Sequence, residues 1–175
     1  ATDLAGAFVE YSFDIVVANT NDAPTVLNAI ANQAATEDTA FGFQFASNTF
    51  ADVDTGDSLT YTASGVPAWL TFNVATRTFS GTPANADVGT HTLTVRATDS
   101  SGAFVEDQFD IVVANTNDVP SAGNNAYSID EDTLLNVPVG GILLDDIDVD
   151  GDALTAVLVA GPSHGRIDFN ADGSF

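Results

Sequence analysis

Residues 97–120 read ATDSSGAFVEDQFDIVVANTNDVP and residues 1–24 read ATDLAGAFVEYSFDIVVANTNDAP, so 19 of 24 positions agree at an offset of 96 residues. Identity this high within one chain marks tandem modules, and it has to be recognised before any element is assigned. A weaker echo aligns Thr36-Glu37-Asp38-Thr39 with Asp130-Glu131-Asp132-Thr133, and DVDTGDSLT from Asp52 with DVDGDALT from Asp148, allowing one gap. If each module starts just after the Asn-Asp-x-Pro signal, residues 25–120 are one complete copy of 96 residues. Residues 1–24 are then expected to be the C-terminal end of a preceding module, and residues 121–175 the N-terminal half of a following one. The chain reads as a window on a longer array.

Within the complete copy the apolar residues repeat with a period of two, the signature of half-buried strands. Phe41, Phe43 and Phe45 alternate with Gly42 and Gln44; Leu59, Tyr61 and Ala63 with Thr60 and Thr62; Leu93, Val95 and Ala97 with Thr94 and Arg96. Phe109, Ile111 and Val113 form a further strand, and Val26 to Ile30 and Phe79 belong to two more. Asp54-Thr55-Gly56-Asp57, Ser64-Gly65, Ser80-Gly81-Thr82-Pro83 and Ser100-Ser101-Gly102 punctuate these runs as turns. No apolar pattern of helical period persists. About seven short strands per module predict an all-β chain of tandem Ig/cadherin-like Greek-key β-sandwich modules. The single Trp69 reads either as a plug between the two sheets or as a sugar-stacking platform.

Composition narrows the chemistry. Apolar residues make up 45% of the chain, enough for a packed core, yet 25 acidic residues face only three basic ones, for a formal net charge of −22. Nucleic acid and anionic membrane surfaces are therefore poor partners, because phosphate binding is supplied largely by Lys and Arg. The absence of cysteine excludes disulfides, thiolate metal sites and cysteine nucleophiles. No stretch approaches the roughly 20 apolar residues of a membrane helix. The first ten residues include Asp3 and lack a basic start, so neither membrane insertion nor a signal peptide is expected.

The acidic residues fall in loops that a sandwich brings together. Loops joining alternate strand pairs cluster at one end, so Asp52, Asp54 and Asp99 are expected to meet the linker that carries Asn19, Asn21 and Asp22. Two carboxylates about 4 Å apart repel by roughly 1 kcal/mol even at the dielectric of water, and four converging carboxylates make the cost several-fold larger. No basic residue nearby offsets it. A hard divalent cation with 6–8 oxygen ligands does, and four negative charges match two Ca²⁺ ions better than Mg²⁺. Solvated turns are the plain alternative, since Asp and Asn are ordinary turn formers.

Glu37, Asp52-x-Asp54, Ala97-Thr98-Asp99-x-x-Gly102 and Asn115-x-Asn117-Asp118-x-Pro120 resemble the calcium-binding scheme of cadherin repeats. Pro67-Ala68-Trp69-Leu70-Thr71-Phe72 followed by Phe79-Ser80-Gly81-Thr82-Pro83 looks more narrowly like the dystroglycan-type cadherin-like domains of bacterial surface proteins. Residues 121–175, with Glu131-Asp132-Thr133, Asp148-Val149-Asp150-Gly151-Asp152 and Gly165-Arg166-Ile167-Asp168, are similar to related tandem Ig-like repeats of bacterial adhesins. The resemblance implies that Glu37 faces the following module and joins Asn115, Asn117, Asp118, Asp148 and Asp150 at a second calcium junction. It departs at the cadherin Asp-Arg-Glu motif, whose equivalent region reads here as Thr76-Arg77-Thr78-Phe79, and weaker or fewer ions per junction follow.

The function expected from these readings is a calcium-stiffened, non-catalytic segment of an extracellular bacterial adhesin, stalk or filament. Its partners would be neighbouring modules and other copies in a filament. The alternative is a calcium-dependent carbohydrate-binding module that meets a polysaccharide. Apparent catalytic motifs fail on chemistry. Asp146-x-Asp148-x-Asp150-Gly151 copies half an EF-hand loop but has Val157 where the bidentate Glu belongs. Asp54-Thr55-Gly56 lacks the second aspartate that an aspartic protease shares a proton with, and His91 and His164 have no partner in sequence for a triad. The chain is expected to turn over neither peptide nor glycoside substrates; hydrolysis that disappears on substituting one aspartate would overturn this.

Overall fold

A computed structural model describes all 175 residues. Nine strands form, all between residues 25 and 114: β1 (Thr25–Val26), β2 (Gln33–Thr36), β3 (Phe41–Gln44), β4 (Phe50–Ala51), β5 (Thr60–Ser64), β6 (Leu70–Asn73), β7 (Thr78–Gly81), β8 (Gly89–Thr98) and β9 (Phe104–Ala114). One sheet has the order β2-β9-β8-β5 and the other β3-β7-β6, with β1 and β4 paired as a short ribbon. Neighbours distant in sequence, such as β3 beside β7, are what a Greek-key sandwich requires. The frame is the β8–β9 hairpin, whose antiparallel register runs from Thr98↔Phe104 to Gly89↔Val113.

The alternating pattern decides which side chains close the sandwich. Leu93, Val95 and Ala97 from β8 and Phe109, Ile111 and Val113 from β9 are buried against Leu70 and Phe79 of the opposite sheet. Aromatic rings bridge the layers: Phe79 meets Phe109 edge-on at 5.7 Å between centroids, and Phe43 meets the same ring at 5.9 Å. Trp69 is half-buried, edge-on to Phe41 and His91, and Phe72 stacks on Phe79 at 4.4 Å. Phe79 and Phe109 are buried, and Phe41, Phe43, Trp69 and Phe72 are half-buried and packed against the core, which favours the plug over the sugar platform.

Three strands lie outside the sequence reading. β2 reads Gln33-Ala34-Ala35-Thr36 and carries no bulky apolar residue; it forms because its backbone pairs in parallel with β9, Gln33↔Ile111 through Thr36↔Ala114. β4 has only two residues, and β6 lies inside the Trp69-Leu70-Thr71-Phe72 stretch, whose signal was aromatic more than periodic. The strand expected over Val26 to Ile30 shortens to Thr25–Val26, although Ile30 is buried.

Residues 13–22 and 109–118 have the same sequence, FDIVVANTND, and different surroundings. Phe109, Ile111 and Val113 are 2%, 0% and 2% exposed, whereas Phe13, Ile15 and Val17 are 80%, 77% and 85% exposed. β9 has β8 on one edge and β2 on the other, and residues 13–17 form no strand. Residues 121–175 likewise have no strand, only a Ser121–Ile147 bridge and a 3-10 turn at Gly141–Leu143. Strand preference is mostly the fit of a side chain to neighbours, so identical residues without neighbours do not make a strand. Phe109→Ala should therefore cost about 3–5 kcal/mol in urea unfolding followed by the fluorescence of Trp69. A loss under about 1 kcal/mol would contradict this account of the core.

Candidate metal centres at the two linkers

Strand register brings the first acidic group together. β5 begins where β8 ends, Thr60↔Thr98, so the loop before β5 and the loop after β8 share one end of the sandwich. The first loop carries Asp52, Asp54 and Asp57 and the second carries Asp99. Asp99 is buried and holds its loop, its Oδ1 accepting from the amides of Ser101 and Ala103, each at 2.9 Å. Asp54 is tied to Asp52, whose Oδ1 accepts from the Asp54 amide at 2.9 Å. One carboxylate oxygen each from Asp52, Asp57 and Asp99 lies within 4.8 Å of the others.

The incoming linker is fastened to this end by N–H donors. Asn19 Nδ2 donates to Asp54 Oδ1 at 2.8 Å, the Asp22 amide donates to Asp54 Oδ2 at 2.8 Å, and Asn21 Nδ2 donates to Asp99 Oδ2 at 3.0 Å. The Asn21 bond, helped by the backbone amides of the loop, holds Asp99 below the usual carboxylate range against the opposing effect of burial. Asp52 Oδ2 is buried and has no partner.

The second group sits at the other end. Thr36 pairs with Ala114, so Glu37 emerges beside the last residue of β9 and at the root of the next linker. Its amide donates to the Ala114 carbonyl at 3.1 Å, and its Oε1 accepts from the Thr116 amide at 2.7 Å. Glu37 is 1% exposed, and its Oε2 has no partner. Carboxylate oxygens of Glu37, Asp118 and Asp150 lie within 4.8 Å of one another. Burial, followed by the charges of Asp150, Asp38 and Asp148, pushes the Asp118 carboxyl above its usual range. Nothing basic balances this group. Arg96 pairs with Glu106 and Arg166 with Asp168, both pairs well exposed.

The repeat recurs as geometry. Asp118 N donates to Asp150 Oδ2 at 2.6 Å, 96 residues beyond the Asp22–Asp54 bond at both partners. Asp150 N donates to Asp148 Oδ1 at 2.9 Å, as Asp54 N does to Asp52, and Asn21 and Asn117 each donate to the carbonyl of the next aspartate, at 3.1 and 2.9 Å. The structure thus places Asn19, Asn21, Asp22, Asp52, Asp54 and Asp99 at one linker, and Glu37, Asn115, Asn117, Asp118, Asp148 and Asp150 at the other. Within these groups Asp54 and Asp148 serve as acceptors for backbone or amide hydrogens and are not among the oxygens that converge, and the Asn117 side chain turns back on its own linker.

Two residues escaped sequence reasoning. Asp57 reads as part of a turn, yet joins Asp52 and Asp99. Asn85, in the 3-10 turn Asn85–Asp87 after β7, donates to Asp150 Oδ1 at 2.8 Å and to Asn115 Oδ1 at 3.4 Å. The segment Thr76-Arg77-Thr78-Phe79 does not reach this linker. It forms the β6–β7 turn and the start of β7, with the Arg77 carbonyl bonded to Phe45, and the chain approaches the linker only past Pro83, whose carbonyl accepts from Asp38. The signal for Asn85 was its place between a proline and a glycine, which marks a turn and not a role.

Chemically, each linker presents several carboxylate oxygens, neighbouring amide and backbone carbonyl oxygens, and one buried oxygen without a hydrogen. That donor set fits a hard cation, which accepts oxygen ligands and needs no proton. The two acidic groups could hold a metal ion.

Comparison with known proteins agrees with the fold. The family described as "Bacterial Ig domain" matches residues 117–175. The "Serine-rich adhesin for platelets" of Staphylococcus aureus strain MRSA252 is 45% identical over 49 residues, 28% of this chain and 4% of that protein, and its counterpart in strain USA300 is 43% identical over 49 residues. The chain spans 2–4% of the length of these curated relatives. Among solved structures, the extracellular cadherin domains 1–4 of protocadherin gamma B7 align with a TM-score of 0.47 at 22% identity, covering 69% of this chain and 31% of that one. An endo-fucoidan hydrolase of glycoside hydrolase family 107 aligns with a TM-score of 0.46 at 24% identity, covering 89% and 29%. The family described as "Putative Ig domain" matches residues 23–114, more than half of the chain, and the chain belongs to it.

Proposed function

We propose that this chain is a calcium-stiffened spacer segment of an extracellular bacterial surface adhesin, stalk or filament, without catalytic activity of its own. The observation that carries this reading is the pair of buried carboxylate oxygens, Glu37 Oε2 and Asp52 Oδ2, that lack a partner at the two linkers. A buried acceptor without a hydrogen bond costs about 1–3 kcal/mol, and more when charged. A bound Ca²⁺ removes that cost at both places and ties residues of a module to residues of its linker.

Glu37, Asp118 and Asp150 would hold the second ion, with Asp148, Asn115 and Asn117 around them; Asp52, Asp57 and Asp99 would hold the first, with Asp54, Asp22, Asn19 and Asn21 around them. Calcium supplies charge neutralisation and cross-linking here and no reaction chemistry. The residues of this chain do the positioning: Asp99 fixes its loop, Asp54 and Asp150 orient the linkers, and Glu37 fills the space between β2 and the second linker. Part-length similarity to a staphylococcal adhesin and the two Ig-type families support a surface location. No helix is long and apolar enough to cross a membrane. Neighbouring modules, and other copies in a filament, are the partners this reading calls for. The interior placement of Phe72 and Phe79, with Trp69 packed on Phe41, does not support a carbohydrate platform.

Extracellular modules bind calcium with dissociation constants of about 0.1–1 mM. At roughly 10 mM free calcium, a site at the tight end gains about 2.7 kcal/mol. Glu37→Gln should therefore shift against the wild type between two buffers. In chelator it should stabilise the sandwich by about 1–3 kcal/mol, because it removes a buried charge without a partner. In 10 mM calcium the wild type alone gains the ion, so that advantage should fall by up to about 2.7 kcal/mol. Thermal unfolding in both buffers checks this, and a difference that calcium leaves unchanged would sink the assignment.

Asp52→Asn should weaken calcium binding at the first linker, measured by calorimetry, with the near-ultraviolet signature of the sandwich unchanged. For a protein holding at least two complete modules, scattering should show a broader distance distribution in chelator than in calcium with strand content preserved, since the ion joins elements that the core does not. Identical distributions would refute stiffening even where binding is measured.

A further inference from the structure

We propose that Asn85 is a positioning residue that clamps the second linker without an ion. The inference rests on the reading of these clusters as calcium sites only for its calcium arm.

At the first linker both oxygens of Asp54 are satisfied by residues of the linker itself, Asn19 and Asp22. The residue equivalent to Asn19 is Asn115, and its side chain makes no such bond to Asp150. Asn85 stands in its place. It comes from the folded sandwich, from the turn that joins β7 to β8, and it donates to Asp150 Oδ1 at 2.8 Å while Asp118 N holds Oδ2 at 2.6 Å. Its second contact is also to an acceptor, Asn115 Oδ1 at 3.4 Å. Two acceptors around one amide leave only its nitrogen able to serve both.

The turn that carries Asn85 is itself fixed. The Ala84 amide donates to Asp87 Oδ2 at 3.0 Å, and His91 Nε2 lies 2.7 Å from the Asp87 carbonyl. Asn85 therefore joins a rigid part of residues 25–114 directly to Asp150, passing over the linker. An amide–carboxylate bond is charge-assisted and needs no cation. The chain also forgoes a carboxylate at this place: an aspartate at position 85 would face Asp150 as a like charge and would become a further oxygen ligand only once an ion is bound.

The test uses the full chain with spin labels on Ser80→Cys and Thr155→Cys, both exposed, in a protein that has no cysteine of its own. In chelator, the distance distribution between the labels should be narrower for the parent than for Asn85→Ala, and broadest for Asn85→Asp. On adding calcium, Asn85→Asp should narrow most and bind the ion about three- to tenfold more tightly than the parent, because ligand charge tunes affinity. Equal widths for the parent and Asn85→Ala in chelator would overturn the clamp. So would an Asn85→Asp variant as narrow as the parent without calcium. Circular dichroism confirms that each variant keeps its strands. If the parent binds no calcium but Asn85→Ala still broadens the distribution, the clamp stands and the calcium reading falls.

Discussion

Twenty-five carboxylates against three guanidinium groups leave this chain with an electrostatic problem that its own side chains cannot solve. Two of the three arginines are spent on exposed pairs with Glu106 and Asp168, where a salt bridge contributes little. At the linkers the remaining means are N–H donors and, where those run out, a cation. Donors satisfy Asp54, Asp99 and Asp150, and they come from Asn19, Asn21, Asp22, Asp118 and Asn85. The placement of the linkers follows from this, because the groups that quiet the carboxylates belong to the linkers or reach across them. No donor arrives at Asp52 Oδ2 and Glu37 Oε2, which stay buried without a hydrogen-bond partner.

The sandwich sets the distance between the two acidic groups. β8 ends at Thr98, next to Asp99, and β9 ends at Ala114, at the root of the second linker, so the groups lie at opposite ends of one hairpin. Eleven residues of β9 at about 3.3 Å each span roughly 35 Å. Neither group is part of the apolar core; each borrows rigidity from it through one strand end, Thr98 in the first case and Thr36 beside Ala114 in the second. That separation explains why the core and the junctions can be altered independently, and why carboxylates that would be ruinous inside the sandwich are tolerated at its ends.

The period-two runs made β3, β5, β8 and β9 legible, because each places apolar residues on one face, and β7 was placed by Phe79 alone. β2 was not legible, since two alanines carry little signal and its stability lies in backbone bonds to β9, a partner about 78 residues away. The acidic loops were legible from composition and from the repeat, which placed Asp54 and Asp150, Asp22 and Asp118 in register. Asp57 and Asn85 were not, for a common reason: their roles depend on which turn lies against which loop, and turn residues look alike in sequence. The plainest limit is FDIVVANTND itself, buried strand over residues 109–114 and exposed chain over 13–18. Sequence specifies the side chains that fit a slot, and only a partner makes the slot.

That β9 depends on its partners has a mechanical consequence if the two linkers are pulled apart. The chain enters the sandwich near Thr25 and leaves after Ala114, at opposite ends of the same body. β2, early in the sequence, runs parallel to β9, the last strand, and is bonded directly to it over Gln33–Thr36 and Ile111–Ala114. A pull on the two linkers in opposite directions loads β2 and β9 along their length in opposite senses. All the bonds between them then resist together, because separating the strands requires sliding them and cannot proceed one bond at a time. Glu37 sits where β2 ends and the second linker starts, its Oε1 on Thr116 and its amide on Ala114. A cation joining Glu37 to Asp118 and Asp150 would therefore extend the β2–β9 contact past the edge of the sheet and into the linker. Glu37, 1% exposed, is thus the buried carboxylate that stands between the β2–β9 contact and the second linker.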